Sequence, residues 1–148
     1  MIAGHAHSLH IRNLSKHYGR VRAVDDVSFT VPRGAFLTLL GPSGSGKTTI
    51  LMAIAGFVDP TSGDILVDDR TITRLAPEDR NFGMVFQGYA LFPHLTVGAN
   101  VAFPLEVRKR PKSEIAERVR QALDLVQLGQ LADRYPKQLS GGQQQRVA

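Results

Sequence analysis

The stretch that decides the fold is Gly41-Pro42-Ser43-Gly44-Ser45-Gly46-Lys47-Thr48. It fits the pattern G-x-x-x-x-G-K-[ST] at every fixed position. A polyphosphate carries several negative charges on crowded oxygens, so backbone N–H groups must approach it closely. Gly44 and Gly46 remove the Cβ atoms that would obstruct this approach. A helix beginning near Lys47 would aim its free N–H groups and its dipole at the same anion. Lys47 can place an ammonium between a β- and a γ-phosphate, the Thr48 hydroxyl can ligate Mg²⁺, and Thr49 supplies another donor. Upstream, Ala35-Phe36-Leu37-Thr38-Leu39-Leu40 is almost wholly apolar and is bounded by Gly34 and Gly41-Pro42. It reads as a buried parallel strand. Downstream, residues 48–55 read as an apolar helix that stops at Gly56. Strand, glycine loop and helix make the first half of a βαβ unit, which predicts an α/β fold. The loop alone implies nucleotide binding and leaves a kinase, a GTPase, a helicase and a transporter ATPase all open.

Outward from the loop, Leu9 and Ile11, then Val27, Phe29 and Val31, alternate with polar residues, the period of half-buried strands. Tyr18-Gly19-Arg20 and Pro32-Arg33-Gly34 read as turns. After a turn at residues 59–64 comes a strand, Ile65-Leu66-Val67. Residues 70–81 read as a polar connection leading to a further strand, Gly83-Met84-Val85-Phe86. Beyond Gln87 the character becomes helical. Thr96 is an expected N-cap for a short helix ended by Pro104. Ser113 is an expected N-cap for the clearest helix, closed by Gly129. Its apolar stripe is Ile115, Val119, Ala122, Leu123 and Val126. A last helix begins at about Gly142.

Composition bounds the class. The chain has 148 residues, 43% hydrophobic and 21% charged, which is ordinary for a globular protein. It has no cysteine, which rules out disulfides, thiolate metal sites and thiol catalysis. The longest apolar run, near residues 50–58, is about half of what a membrane-spanning helix needs, and the first ten residues lack the features of a signal peptide. The net charge is +5, concentrated in residues 108–120, with Arg108, Lys109, Arg110, Lys112, Arg118 and Arg120 against Glu114 and Glu117. A solvated loop and helix face is the expected reading, ahead of a contact with lipid head groups or nucleic acid. His5, His7 and His10 are read as a solvated tail rather than a metal site.

A second motif narrows the function. Leu139-Ser140-Gly141-Gly142-Gln143 again places a Ser hydroxyl and Gly N–H groups at the start of a helix. With the loop at Lys47, this makes the chain resemble the nucleotide-binding domain of ABC transporters, whose signature motif is L-S-G-G-Q. Two more residues agree. Tyr18, otherwise a turn tyrosine, matches the family's aromatic residue that stacks on adenine. Gln87, otherwise a surface glutamine, matches the family's Q-loop residue, which binds Mg²⁺ or the attacking water. The segment Phe86-Gln87-Gly88-Tyr89-Ala90-Leu91-Phe92-Pro93-His94-Leu95-Thr96-Val97 is similar to importers of the polyamine, maltose, iron and sulfate type. Gly98-Ala99 departs from the family, which often has a Glu before the residue matching Asn100; this weakens the helix there.

The resemblance implies an α/β fold: a P-loop NTPase core with an N-terminal antiparallel β subdomain and a helical insert, and an incomplete parallel sheet. Residues 1–87 would hold the β subdomain and the start of the core, 88–140 the helical insert, and 141–148 the start of the signature helix. ATP and Mg²⁺ are the implied ligands. Lys47 and Gln87 are the implied catalytic residues, and Thr48 and Gln87 those for the metal. Nucleotide binding falls to Tyr18, to Gly41, Pro42, Ser43, Gly44, Ser45, Gly46, Lys47, Thr48 and Thr49, and to Ser140, Gly141, Gly142 and Gln143. The implied partners are a second ATP-binding subunit in a head-to-tail dimer, permease subunits docking at residues 87–97, and indirectly an extracytoplasmic solute-binding protein. No nucleic acid is expected, and the implied location is the cytoplasmic face of the inner membrane. Leu91, Phe92 and Leu95 suit either a docking groove or the core of the insert. The family's Walker B Asp, catalytic Glu and switch His cannot be assigned, and His94 precedes the signature. The chain therefore reads as roughly the first three-fifths of such a domain, marginal in stability and without ATP turnover when alone. A soluble ABC-type ATPase acting on nucleic acid or ribosomes, or a non-catalytic nucleotide-binding fragment, are the alternatives.

Overall fold

The computed structural model describes residues 7–148, so His5 lies outside the described residues. The chain divides into two compact units, Met1–Gly83 and Met84–Ala148.

The first unit is built on an antiparallel sheet. β1 (Leu9–Tyr18) and β2 (Val21–Val31) form a hairpin closed by Gly19 and Arg20. β3 (Ser62–Val67) pairs with the other edge of β1, and β4 (Arg70–Thr71) with β3, giving the order β2-β1-β3-β4. The register of β1 against β2 shifts between Ile11 and Leu14 and again before Lys16 and His17. Such bulges break the period of two, and Leu14 and Ser15 are both buried in succession. α1 (Lys47–Ala55) lies against this sheet. Its Ile50 and Ala53, three residues apart and hence on one face, join Ile11, Leu14, Val24, Ile65 and Ile72 in the core. Full burial of each large aliphatic side chain contributes about 1.5–3 kcal/mol. The connection at residues 70–81 holds β4 and a 3-10 turn, Pro77–Asp79, which the sequence reading passed over.

Two expected strands do not form. Residues 35–40 and 83–86 lie outside the sheet, and every pairing among the described residues is antiparallel. An apolar run becomes a strand only by pairing, and no parallel neighbour stands beside these segments among the described residues. Leu39 still packs on the core. Phe36 is 94% exposed and Leu40 88% exposed.

The second unit is helical. α2 (Val97–Val107) starts at Thr96, whose side chain accepts from the Ala99 N–H as expected. The helix runs through Pro104 rather than ending there. Pro104 removes one hydrogen bond, but Asn100 binds this part of the chain strongly. Its amide nitrogen donates to the carbonyls of Phe92, Leu95 and Thr96, and its Oδ1 accepts from Phe92 N–H. Gly98 also proves useful rather than merely weak. Val97 and Gly98 N–H donate to the carbonyls of Arg134 and Ala132 at 2.8 Å each, satisfying first-turn donors. A Cβ on Gly98 would sit 3.3 Å from the Ala132 oxygen.

α3 (Lys112–Leu125) is capped by Pro111, so Ser113 stands inside the helix rather than at its N-cap. It ends before Gly129, which instead opens a 3-10 turn, Gly129–Leu131. The core gathers Val97, Leu123, Leu128 and Leu139, with Val119 and Val126 packed against it. Ala122, expected in the stripe, is exposed. α4 (Gly141–Val147) begins one residue earlier than its sequence suggests. No helix among the described residues is long and apolar enough to cross a membrane.

Candidate functional site

Gly41 to Thr49 form a single continuous feature, a turn feeding the N-terminus of α1. Ser45 N–H donates to Pro42 C=O at 3.3 Å and closes the turn. Gly46 is the N-cap residue, in the left-handed region at φ 84°, and no side chain caps the helix. Glycine is required there on two counts. A side chain is strained at that φ, and a Cβ would lie 2.3 Å from the Ala23 oxygen. The loop is thus seated directly on β2, and the first-turn N–H groups of α1 are left without an intrahelical partner. Lys47 Nζ bends back over the loop. It donates to Gly41 O at 2.8 Å, Pro42 O at 2.7 Å and Ser45 Oγ at 3.1 Å. A cation held over uncapped helix donors, with Thr48 exposed beside it, is a donor set that fits phosphate oxygens and an accompanying Mg²⁺.

Tyr18 ends β1 and pairs with Val21, two residues before Ala23. The hairpin therefore connects the tyrosine to the strand on which Gly46 sits. Tyr18 is 51% exposed.

The other end of α1 is held by Arg80, which belongs to no motif. Arg80 is only 6% exposed. Its Nη1 donates to Ala53 O at 2.7 Å and Ile54 O at 2.9 Å, the last carbonyls of the helix. Nη2 and Nε donate to Thr73 O and Leu75 O. The C-cap Gly56 leaves room for this guanidinium, since a Cβ there would stand 2.6 Å from Nε. Burial pulls the Arg80 pKa below its usual value, with the charge of Asp59 opposing the shift. A cation at the C-terminus of α1 also complements its dipole.

In the second unit, Ser140 is the N-cap of α4 and forms a full capping box. Its Oγ accepts from Gln143 N–H at 3.3 Å, and Gln143 Oε1 accepts from Ser140 N–H at 2.9 Å. Gly141 and Gly142 fill the first turn. Gln87 is exposed in a turn, followed by Tyr89 and Ala90 in the left-handed region at φ 64° and 54°. A Cβ on Gly141 would lie 3.9 Å from the Tyr89 hydroxyl, so the Tyr89 side chain reaches the start of α4. The Phe92 ring lies 4.6 Å from that of Phe103, tilted by 51°, and both stand partly exposed outside the core.

His7 and His10 do not form a metal cluster with other groups, and none exists among the described residues. His7 Nδ1 is 2.7 Å from Asp68 Oδ2, and His10 lies within β1. In the basic segment, Arg118 pairs with Glu114, and Arg120 with Glu117 and Asp124.

The profile of the ABC transporter family matches residues 24–148. The chain belongs to that family. It is 53% identical over 138 residues to the spermidine/putrescine import ATP-binding protein PotA of Oleidesulfovibrio alaskensis, covering 93% of this chain and 37% of that protein. It is 51% identical over 141 residues to the sulfate/thiosulfate import ATP-binding protein CysA of a Synechocystis species, covering 95% and 40%. Among solved structures, it superposes with TM-score 0.82 at 34% identity on a dimeric ATP-binding cassette in a post-hydrolysis state bound to ADP and Pi. That match covers 94% of this chain and 66% of the other. The chain thus spans roughly two-fifths of the curated relatives it matches, between 37% and 40% for the two named here.

Proposed function

We propose that this chain is part of the ATP-binding subunit of an ABC importer, which couples ATP binding and hydrolysis to solute uptake. The observation that carries the reading is the loop at residues 41–48, seated on β2, with Lys47 Nζ over uncapped helix donors. Lys47, the loop N–H groups and Thr49 hold the phosphates of ATP. Thr48 would hold Mg²⁺, which would supply positive charge to the phosphoryl oxygens, and Gln87 is proposed as a further catalytic and metal-binding residue of the parent protein. Tyr18 stacks on the adenine. Lys47 must exchange its bonds to the loop carbonyls for bonds to phosphate, so contacts between opposite charges replace contacts between a cation and neutral carbonyls.

The signature residues Ser140, Gly141, Gly142 and Gln143 contact the nucleotide of a second ATP-binding subunit in a head-to-tail dimer. A relative solved as a dimer bound to ADP and Pi supports dimer formation. Permease subunits dock at residues 87–97, where Phe92 stands partly exposed beside Phe103. The parent protein lies peripherally on the cytoplasmic face of the inner membrane and serves a solute-binding protein indirectly. Residues 1–87 act as the β subdomain and the start of the ATPase core, 88–140 as the signature subdomain, and 141–148 as the start of its helix.

Titration calorimetry with Mg-ATP tests this. Binding that Lys47→Ala weakens by about tenfold to a hundredfold is expected, the range for charge-assisted hydrogen bonds. No binding, or binding that is indifferent to Lys47, would overturn the reading.

A further inference from the structure

Tyr18 does not stand alone. Lys16, two residues earlier in β1, places Nζ 5.0 Å from the centroid of the tyrosine ring. The ammonium is fixed from a second side, because Nζ donates to Asp59 C=O at 2.6 Å. Its flanking residues bind the same turn between α1 and β3. Ser15 C=O accepts from Thr61 N–H at 2.8 Å, and His17 N–H donates to Thr61 Oγ1 at 2.9 Å. Three consecutive residues of β1 therefore grip one turn, and the lysine in the middle reaches from that turn to the aromatic ring. A solvated lysine wandering over a strand would have no such second anchor.

We propose that Lys16 is a positioning residue for recognition of the purine base. This rests on the reading of Tyr18 as the adenine-stacking residue. The ammonium covers one face of the ring and holds it against the strand. Tyr18 is half exposed, and the surface that remains is offered to a flat base. Two effects follow. The ring gives up less rotational freedom when the base arrives, because that freedom is already restricted. The cation also draws on the negative face of the ring, which favours stacking of an electron-rich purine on the other side. Neither effect reaches the phosphates, so Lys16 acts on the base-dependent part of affinity alone.

The test compares Mg-ATP with Mg-tripolyphosphate, which has the phosphates and no base, by calorimetry on the whole polypeptide. Lys16→Met keeps the alkyl stem and removes the cation. It is expected to raise the Kd for ATP about two- to fivefold, the size of an exposed cation–π contact. Tripolyphosphate affinity stays unchanged, and Lys16→Arg retains ATP affinity. A merely structural lysine, or a long-range charge effect, would weaken both ligands equally, and that outcome overturns the proposal. So does an unchanged ATP-to-tripolyphosphate ratio in Lys16→Met when Tyr18→Ala lowers it. If Tyr18→Ala leaves the ratio unchanged, the adenine reading itself fails and the role of Lys16 falls with it.

Discussion

Two helices in this chain begin in glycine- and serine-rich loops, and they finish their N-termini in opposite ways. α4 caps itself: Ser140 and Gln143 satisfy each other's backbone donors. α1 has no side-chain cap at all, and a left-handed glycine stands at its N-cap. A self-capped end has two of its four orphan donors satisfied, which leaves those of Gly141 and Gly142. An uncapped end, with Lys47 folded over it, leaves donors for something external. The same composition thus builds one terminus held by its own side chains and one held by none, and the second stands to gain more from an anion.

The largest effect should come from the end of α1 opposite the loop. Arg80→Met takes a donor from four backbone carbonyls, two of them in the last turn of the helix, where Ala53 O keeps only the Gly56 N–H. We expect a loss of about 2–4 kcal/mol in chemical denaturation, the range for breaking a buried hydrogen-bond network. A loss below half of that would show that α1 is held by its apolar face alone. Gly46→Ala should cost about 2–3 kcal/mol, from strain at positive φ and the close Ala23 oxygen. Crystallography of that variant should show the loop lifted off β2.

Ser140→Ala sharpens the contrast directly. It should destabilise α4 by about 1 kcal/mol, the usual value of a lost N-cap. Hydrogen exchange should report faster amides in α4, with those of α1 unaltered. Faster exchange in both would mean that the two termini are not independent.

The smallest effect concerns pH. Asp68 accepts from the His7 ring, from the N–H and hydroxyl of Ser8, and from Arg33. The His7 contact first, and the Ser8 amide next, hold its carboxyl well below the usual carboxylate range. A depressed pKa means that its contribution is present at neutral pH and fades as pH falls below about 4, where the unfolded state takes up the proton first. The thermal midpoint of Asp68→Asn should therefore converge with that of the parent as pH falls from 5 to about 2. Parallel curves would show that the carboxylate contributes nothing.

The legible part of this molecule was the part written in local chemistry. The loop at Gly41 to Thr48, the Gly56 stop, the Thr96 cap and the hairpin after Tyr18 depend on residues near one another in sequence. What escaped depends on distant partners. Residues 35–40 have the composition of a buried strand but pair with no neighbour among the described residues. Pro104 does not end α2, because Asn100 ties that helix to the carbonyls of residues 92–96. Gly98 reads as a weak helix residue until the backbone at Ala132 is seen beside it. Arg80 was hidden among ordinary polar residues, since nothing local reveals that a guanidinium will be buried. Lys16 is no different from other surface lysines until Asp59 and Tyr18 come into view.

Mechanically, α1 is a short beam clamped at one end by Arg80 and resting at the other on β2. Its nine residues span about 14 Å, at 1.5 Å per residue. The Arg80 guanidinium is the clamp, and the tip carries Gly46 and Lys47. A tilt of about 5° at the clamp moves the tip by roughly 1 Å over that lever. Displacements of that size are enough to spoil the alignment of a reacting group. A residue at the far end of the helix thereby sets the mechanical tolerance of the phosphate loop.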